Sequence, residues 1–229
     1  PKPLASLGDK SFLELLVLQL QRQGIRRLVM CTGYRADQIE SVFGDGRAWN
    51  VAIQYSREED PLGTAGALGL AQFRLQGAPF FLVMNGDSFL EVDLFELVCF
   101  HRAHGGQATM AVREVKDASR YGTVQIAAGG RVTGFLEKTG KEAPGLINAG
   151  VYVFDPAILE SIPQGPSSLE RDVFPNILAR GVYALEQSGI FIDIGIPEDY
   201  ACARAACDQL FQAAVRRRDT SGEPNLEGR

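Results

Sequence analysis

The chain has 229 residues, of which 45% are hydrophobic and 22% charged, and its net charge is −5. This is the balance of an ordinary globular protein, long enough for one large domain and awkward for two. No apolar run reaches the roughly 18 residues of a membrane span, the opening Pro1-Lys2-Pro3-Leu4 lacks the layout of a signal peptide, and no broad basic surface is available for nucleic acid. Cys31, Cys99, Cys202 and Cys207 form no CxxC pair and are expected as reduced packing residues of a cytoplasmic protein.

In chain order, residues 9–23 carry Phe12, Leu13, Leu15, Leu16, Leu18 and Leu20, a wide apolar helical face that Gly24 is placed to end. Residues 28–31 predict a short buried strand, and Thr32-Gly33 turns into a helix over 35–43. Residues 51–55 alternate as a more exposed strand does. A loop over 56–61 delivers Leu62-Gly63-Thr64-Ala65-Gly66 to the head of a helix ending near Phe73. The run Phe80-Phe81-Leu82-Val83-Met84 then stops at Asn85-Gly86-Asp87, as a strand covered on both faces does before a tight turn. The first half therefore reads as α-β-α-β-α-β, the pattern of a parallel, doubly wound sheet.

The second half predicts a helix over 92–104 and a strand over 108–112. Strands over 124–126 and 132–136 flank Ala127-Ala128-Gly129-Gly130 as a hairpin. A strand over 147–154, a helix over 168–178 capped by Ser167 or Ser168, strands over 182–185 and 190–192, and one last helix over 197–214 complete it. Residues 214–229, with their arginines, glycine and proline, are expected to be a disordered tail.

Asp87 falls at the carboxyl end of a strand, the edge where open α/β sheets bind ligands. It reads either as a cation ligand or as a helix cap. Asp193, in Phe191-Ile192-Asp193-Ile194-Gly195, repeats the pattern, with a cap on the helix near Pro197 as its bland reading. Two such carboxylates, with phosphate oxygens, are how Mg²⁺ is usually held. Gly63, Thr64 and Gly66 at a helix N-terminus would let a ligand approach the backbone, or would simply form a tight turn packed on a neighbour. Glu137-Lys138 offers a group for sugar hydroxyls and one for phosphate, or an exposed ion pair. Asn148 opens an apolar strand and needs partners. Tyr121-Gly122 is a point of backbone approach, and Lys2 is held between prolines. His101 and His104 have no third zinc ligand and are expected on a solvated helix face. Neither a Ser-His-Asp arrangement nor a phosphate loop is present.

Seven stretches in this order resemble the sugar-1-phosphate nucleotidyltransferases. They are Pro1-Lys2-Pro3-Leu4, Pro61-Leu62-Gly63-Thr64-Ala65-Gly66, Met84-Asn85-Gly86-Asp87, Arg120-Tyr121-Gly122-Thr123-Val124, Phe135-Leu136-Glu137-Lys138, Ile147-Asn148-Ala149-Gly150-Val151-Tyr152 and the run from Phe191 to Tyr200. Together with Ser168-Leu169-Glu170, the last looks most like the D-glycero-α-D-manno-heptose 1-phosphate guanylyltransferases; mannose-1-phosphate guanylyltransferases and N-acetylmuramate-1-phosphate uridylyltransferases share much of it.

The resemblance implies a Rossmann-like three-layer α/β/α sandwich with a mixed central sheet, formed as a single domain by residues 1–213. It implies condensation of a nucleoside triphosphate, GTP in the heptose enzymes, with a sugar 1-phosphate, releasing pyrophosphate. By it, Lys2 meets the nucleotide phosphates, and Gly63, Thr64 and Gly66 lie against base and ribose. Asp87 and Asp193 hold Mg²⁺, Lys138 holds the sugar phosphate, and Asn85, Gly122, Glu137 and Asn148 belong to the substrate pocket. The family opens with a strand and a GGxGTRL-type loop before its Pro-Lys-Pro element, so these are expected to be missing upstream of Pro1. A non-catalytic sugar-nucleotide-binding regulatory subunit is the reading of another class. Leu210 and Phe211 serve either a homodimer or the core.

Overall fold

A computed structural model describes residues 1–136 and 140–216. These residues form two units, one built from Pro1–Glu59, Gly86–Glu91 and the described residues from Ile190 onward, the other from Asp60–Asn85 and Val92–Gly189.

In the first unit a small hairpin, Ser6–Leu7 against Lys10–Ser11, turns at Gly8 with φ +63° and leads into the helix Phe12–Arg22. Ser11 starts that helix. Its Oγ accepts the Glu14 N–H at 3.3 Å, and the Glu14 carboxylate accepts the Ser11 N–H at 2.6 Å, a reciprocal capping box. Phe12, Leu15, Leu16 and Gln19, spaced three and four apart, are buried. The strand Arg27–Thr32 pairs parallel with Ala52–Arg57 through the helix Ala36–Phe43, whose Ile39 and Phe43 pack with Val17, Val51 and Ile53. Arg27–Thr32 is not the buried strand expected: Arg27 and Cys31 are exposed and Leu28, Val29 and Met30 half-buried, because among the described residues it pairs along one edge only. Three of the four cysteines expected as packing residues, Cys31, Cys99 and Cys202, are exposed. The expected last helix is two, Pro197–Ala205 and Cys207–Val215. The backbone leaves helical geometry at Ala206, where neither Gly nor Pro announces a break. Leu210 is fully buried and Phe211 half-buried beneath the Lys10 ammonium, so Leu210 belongs to the core. The segment beyond Arg216 lies outside the described residues.

The second unit is built on a six-stranded mixed sheet. Gly145–Phe154 is its hub, antiparallel to Ala108–Val115 on one edge and, on the other, to Thr123–Ile126 and Phe81–Met84. Val182–Glu186 joins Ala108–Val115 in parallel, and Val132–Leu136 closes the expected hairpin on Thr123–Ile126. Phe81–Met84 thus departs from the parallel arrangement expected of the first half, because its partner is a strand arriving much later in the chain. Phe81, Tyr152, Phe154 and Phe174 form one aromatic core against this sheet, with ring centroids 5.4–6.0 Å apart for each contacting pair. Burying each ring is worth about 2–3 kcal/mol.

The helix Leu94–His104 lies in this unit too. Asp93 caps it, accepting the Glu96 N–H at 2.9 Å, and Gly105 at φ +62° ends it. Its His101 is not on a solvated face. The residue is 6% exposed and its Nδ1 lies 3.0 Å from the Oγ1 of fully buried Thr109. With Leu94, Leu97 and Val98 it completes a spacing that turns the imidazole inward. Burial pushes the His101 pKa below its ordinary value, and the Asp155 carboxylate opposes this more weakly. The neutral ring is therefore the folded form. Its contribution to stability is complete above the unfolded pKa near 6.5 and is lost as pH falls from there through the lower folded pKa. The melting temperature of the native protein should fall more than that of His101→Gln between about pH 7.5 and about pH 5.5. Equal falls in thermal scans would show that the ring charges without cost.

Candidate active site

In the first unit, Ser88–Leu90 pairs antiparallel with Phe191–Asp193, and the register sets Asp193 opposite Ser88. The Ile194 N–H then bonds the Asp87 carbonyl at 2.9 Å, so two aspartates distant in sequence meet at one end of a two-stranded ribbon. Neither is a helix cap. Asp93 caps the helix after Asp87, and Ile196 stands at the cap position before Pro197. Asp193 Oδ1 accepts the Gly195 N–H at 2.5 Å, and a Cβ at Gly195 would come within 2.7 Å of that oxygen. Lys2, in the turn Lys2–Leu4, donates from Nζ to the Gly195 carbonyl at 3.1 Å. The Asp193 carboxyl is half-buried, and its pKa is raised, first by that burial and then by the Asp87 and Asp199 carboxylates; the Gly195 N–H and the Lys2 charge pull it down without prevailing.

In the second unit, Gly63 has φ +71° and begins the helix Gly63–Ala71. A Cβ there would lie 2.6 Å from the Ser167 carbonyl oxygen, and one at Gly66 would lie 2.6 Å from the Gly165 carbonyl oxygen. The Ala65 and Gly66 N–H groups both point at the Ser167 carbonyl, at 3.0 and 3.3 Å. The small residues therefore bring two backbone segments together, and two of the N–H groups expected to face a ligand are used within the protein.

Thr64 and Asn148 converge on one carboxylate. The Thr64 hydroxyl accepts the Leu169 N–H at 2.9 Å and donates to Glu170 Oε2 at 3.3 Å. Ser168, which caps the π-helical turn Leu169–Val173, donates to the same oxygen at 2.9 Å. Asn148 donates from Nδ2 to the Tyr152 hydroxyl at 2.7 Å, and Tyr152 donates to Glu170 Oε1 at 3.0 Å. Asn148 Oδ1 accepts the N–H of Gly150, which has φ +75° at the irregularity between Asn148 and Tyr152. Burial raises the Tyr152 pKa well above its ordinary value, with the Glu170 charge adding to it. Asn85 donates its backbone N–H to the Gly150 carbonyl at 2.8 Å. Gly122 faces the Leu136 carbonyl, 3.2 Å from where its Cβ would be. Glu137 and Lys138 lie outside the described residues.

The sequence reading gave no role to Tyr152 or Glu170, and took Ser168 only as a helix cap, which it is. A signal existed: a buried Asn followed by Gly two residues on marks a bulge, and Tyr152 on the same strand is its nearest polar neighbour. Glu170 gave no signal beyond a carboxylate two residues after a cap. Among the described residues no cluster of three His, Cys, Asp or Glu side chains is arranged for a metal ion, and no helix is long and apolar enough to cross a membrane.

The profile of the nucleotidyl transferase family matches residues 1–209. The chain belongs to that family. It is 36% identical over 203 residues to mannose-1-phosphate guanylyltransferase catalytic subunit beta of Drosophila pseudoobscura pseudoobscura, a match covering 87% of this chain and 55% of that protein. It is 37% identical over 206 residues to mannose-1-phosphate guanylyltransferase 1 of Arabidopsis thaliana, covering 87% and 57%. The chain thus spans little more than half the length of these relatives. Among solved structures, HddC from Yersinia pseudotuberculosis complexed with GMP-PN superposes with a TM-score of 0.80 at 33% identity, covering 90% of this chain and 89% of that one. The expected mixed α/β nucleotidyltransferase fold is the fold found.

Gly63→Ala should destabilise the protein by about 1–3 kcal/mol, because it adds a left-handed Cβ and a backbone clash. Urea unfolding checks this; an unchanged midpoint would show that the Ser167 segment gives way freely.

Proposed function

We propose that this chain is the catalytic part of a guanylyltransferase that condenses GTP with a manno-configured sugar 1-phosphate, releasing pyrophosphate. The observation that carries the reading is the Asp87–Asp193 pair, whose second carboxyl has a raised pKa even with the Lys2 ammonium nearby. Family membership supports the reaction class, and the guanylyltransferase names of the relatives support guanine. Mannose 1-phosphate follows from those names, and the manno-heptose from the Ser168-Leu169-Glu170 and Phe191–Tyr200 resemblance.

Two carboxylates with backbone on one side suit Mg²⁺, a hard cation that takes few protein oxygens and keeps waters and phosphate oxygens as its other ligands. Asp87 and Asp193 would hold it, and when bound it would supply charge neutralisation on the phosphates. In the reaction an oxygen of the sugar phosphate forms a bond to the α-phosphorus of the triphosphate, in line with the departing α–β bridging oxygen, and the electron pair leaves with pyrophosphate. The attacking phosphate is already ionised, so no general base is needed. The remaining work is alignment and electrostatics. Lys2, tethered to the Gly195 carbonyl, places positive charge beside the aspartates for the nucleotide phosphates. Thr64 and its neighbours contact the nucleoside, and Asn148, Gly122 and Glu137 the sugar, while Lys138 holds the sugar phosphate.

The test is pyrophosphate release by the full-length protein with Mg²⁺, crossing each nucleoside triphosphate with mannose, manno-heptose, glucose and N-acetylmuramate 1-phosphates. Release with GTP and either manno sugar is expected, and the two rates choose between them. Ligand-induced shifts in melting temperature without release from any pair would favour a regulatory binding subunit. Asp87→Ala and Asp193→Ala should each lower turnover by about a hundredfold or more with the circular dichroism spectrum unchanged. Near-native turnover in either at saturating Mg²⁺ would remove that residue from the site.

A further inference from the structure

We infer that Glu170 is a positioning residue shared by the nucleoside and sugar contacts, holding Thr64 and Asn148 in one hydrogen-bond pattern. The inference rests on the proposed roles of those two residues. An ionised carboxylate only accepts hydrogen bonds, so the direction of every bond reaching Glu170 is determined. Tyr152 must donate to Oε1, which leaves its oxygen to accept from Asn148 Nδ2. The Asn148 amide is thereby oriented from one side, and the Gly150 N–H on Oδ1 orients it from the other. What it retains for a ligand is its second N–H and one lone pair, a donor–acceptor pair suited to neighbouring sugar hydroxyls.

On the other oxygen, Thr64 must donate to Oε2 because the carboxylate has no proton to give, while Thr64 Oγ1 receives the Leu169 N–H. Its hydroxyl therefore turns toward Glu170 and leaves the Thr64 methyl and backbone for the nucleoside. Ser168 donates to the same oxygen while its own oxygen receives the Arg171 N–H, so the carboxylate is fixed by the cap of its own turn. Three hydroxyl donors converge on one half-buried carboxylate: Thr64, assigned to the nucleoside, Tyr152, which carries the Asn148 assigned to the sugar, and Ser168. Charge-assisted bonds of this kind are the stronger ones, and they polarise one another along the chain from Asn148 to Thr64.

Glu170→Gln preserves shape but turns one acceptor into a donor, so the Tyr152 or Thr64 hydroxyl loses its partner and both assigned contacts loosen. Tyr152→Phe cuts the branch to Asn148 alone, and Thr64→Val cuts only the nucleoside branch. The experiment is calorimetric titration of the full-length native protein and these three variants. The first titrant is a non-hydrolysable guanosine triphosphate analogue, and the second is mannose 1-phosphate in its presence. Glu170→Gln should weaken both ligands by about tenfold. Tyr152→Phe should weaken only the sugar phosphate, and Thr64→Val only the triphosphate. A general loss of structure would not divide in this way, and circular dichroism of each variant controls for it. If Glu170→Gln weakens one ligand or neither, the shared role is overturned, as it is if the native protein binds neither. Native binding with the expected division but no pyrophosphate release would leave the positioning role standing and remove the catalytic reading.

Discussion

Gly150 stands at φ +75° in the longest strand of the protein, a conformation that would cost any residue with a Cβ about 1–2 kcal/mol. Gly150 lies at the irregularity in the pairing with Ala108–Val115, and on the other edge the strand pairs first with Thr123 and then with Phe81–Met84. Its carbonyl takes the Asn85 N–H just beyond Met84, and its N–H holds the Asn148 amide. Beyond it, Tyr152 enters the aromatic core while its hydroxyl reaches Glu170. One backbone deviation thus sets both the packing of the second unit and the polar chain running across it.

The aspartate pair of the first unit follows another logic. A structural ion pair would set a lysine against a carboxylate, yet the Lys2 ammonium bonds a carbonyl oxygen. Asp193 is left with burial and two other carboxylates outweighing the nearby positive charge and its own backbone hydrogen bond. The raised pKa reflects burial first and, after it, negative charge that the Lys2 ammonium does not outweigh. Such a deficit suits a site completed by a cation, and it separates Asp87 and Asp193 from exposed pairs such as Arg57–Asp37.

What the sequence made legible depended on how local the cause was. Asp87 and Asp193 could be picked out because each follows an apolar run and precedes or follows a glycine, a pattern that marks a strand end without any knowledge of the partner strand. The helix cap at Ser168 is equally local. Asn148 is flagged as needing partners and Tyr152, on the same strand, is within reach of that reasoning, but Glu170 is not, because it comes from a turn distant in sequence. His101 was misread because a polar residue on a mostly apolar helix face looks exposed until Thr109 is seen beneath it. The antiparallel pairing of Phe81–Met84 was hidden for the same reason: the alternation of helices and strands speaks of neighbours in the chain, and its partner is not one. The break at Ala206 lies between Ala205 and Cys207, where no helix-breaking residue marks it.

The contact of Gly63 and Gly66 with the carbonyls of Ser167 and Gly165 bears on how this sequence can drift. Gly165 stands at φ +84° and the Ser167 hydroxyl donates to its carbonyl at 3.4 Å, so substitutions there reach the contact only through the backbone, while any substitution at 63 or 66 meets it directly. Yet the length of the segment around 165–168 is not free, because one residue more or fewer would carry the carbonyls away from the Ala65 and Gly66 N–H groups. Identity is constrained on one side of the contact and spacing on the other. An insertion before Ser168 and a larger residue at Gly63 would therefore be accepted together more readily than either alone.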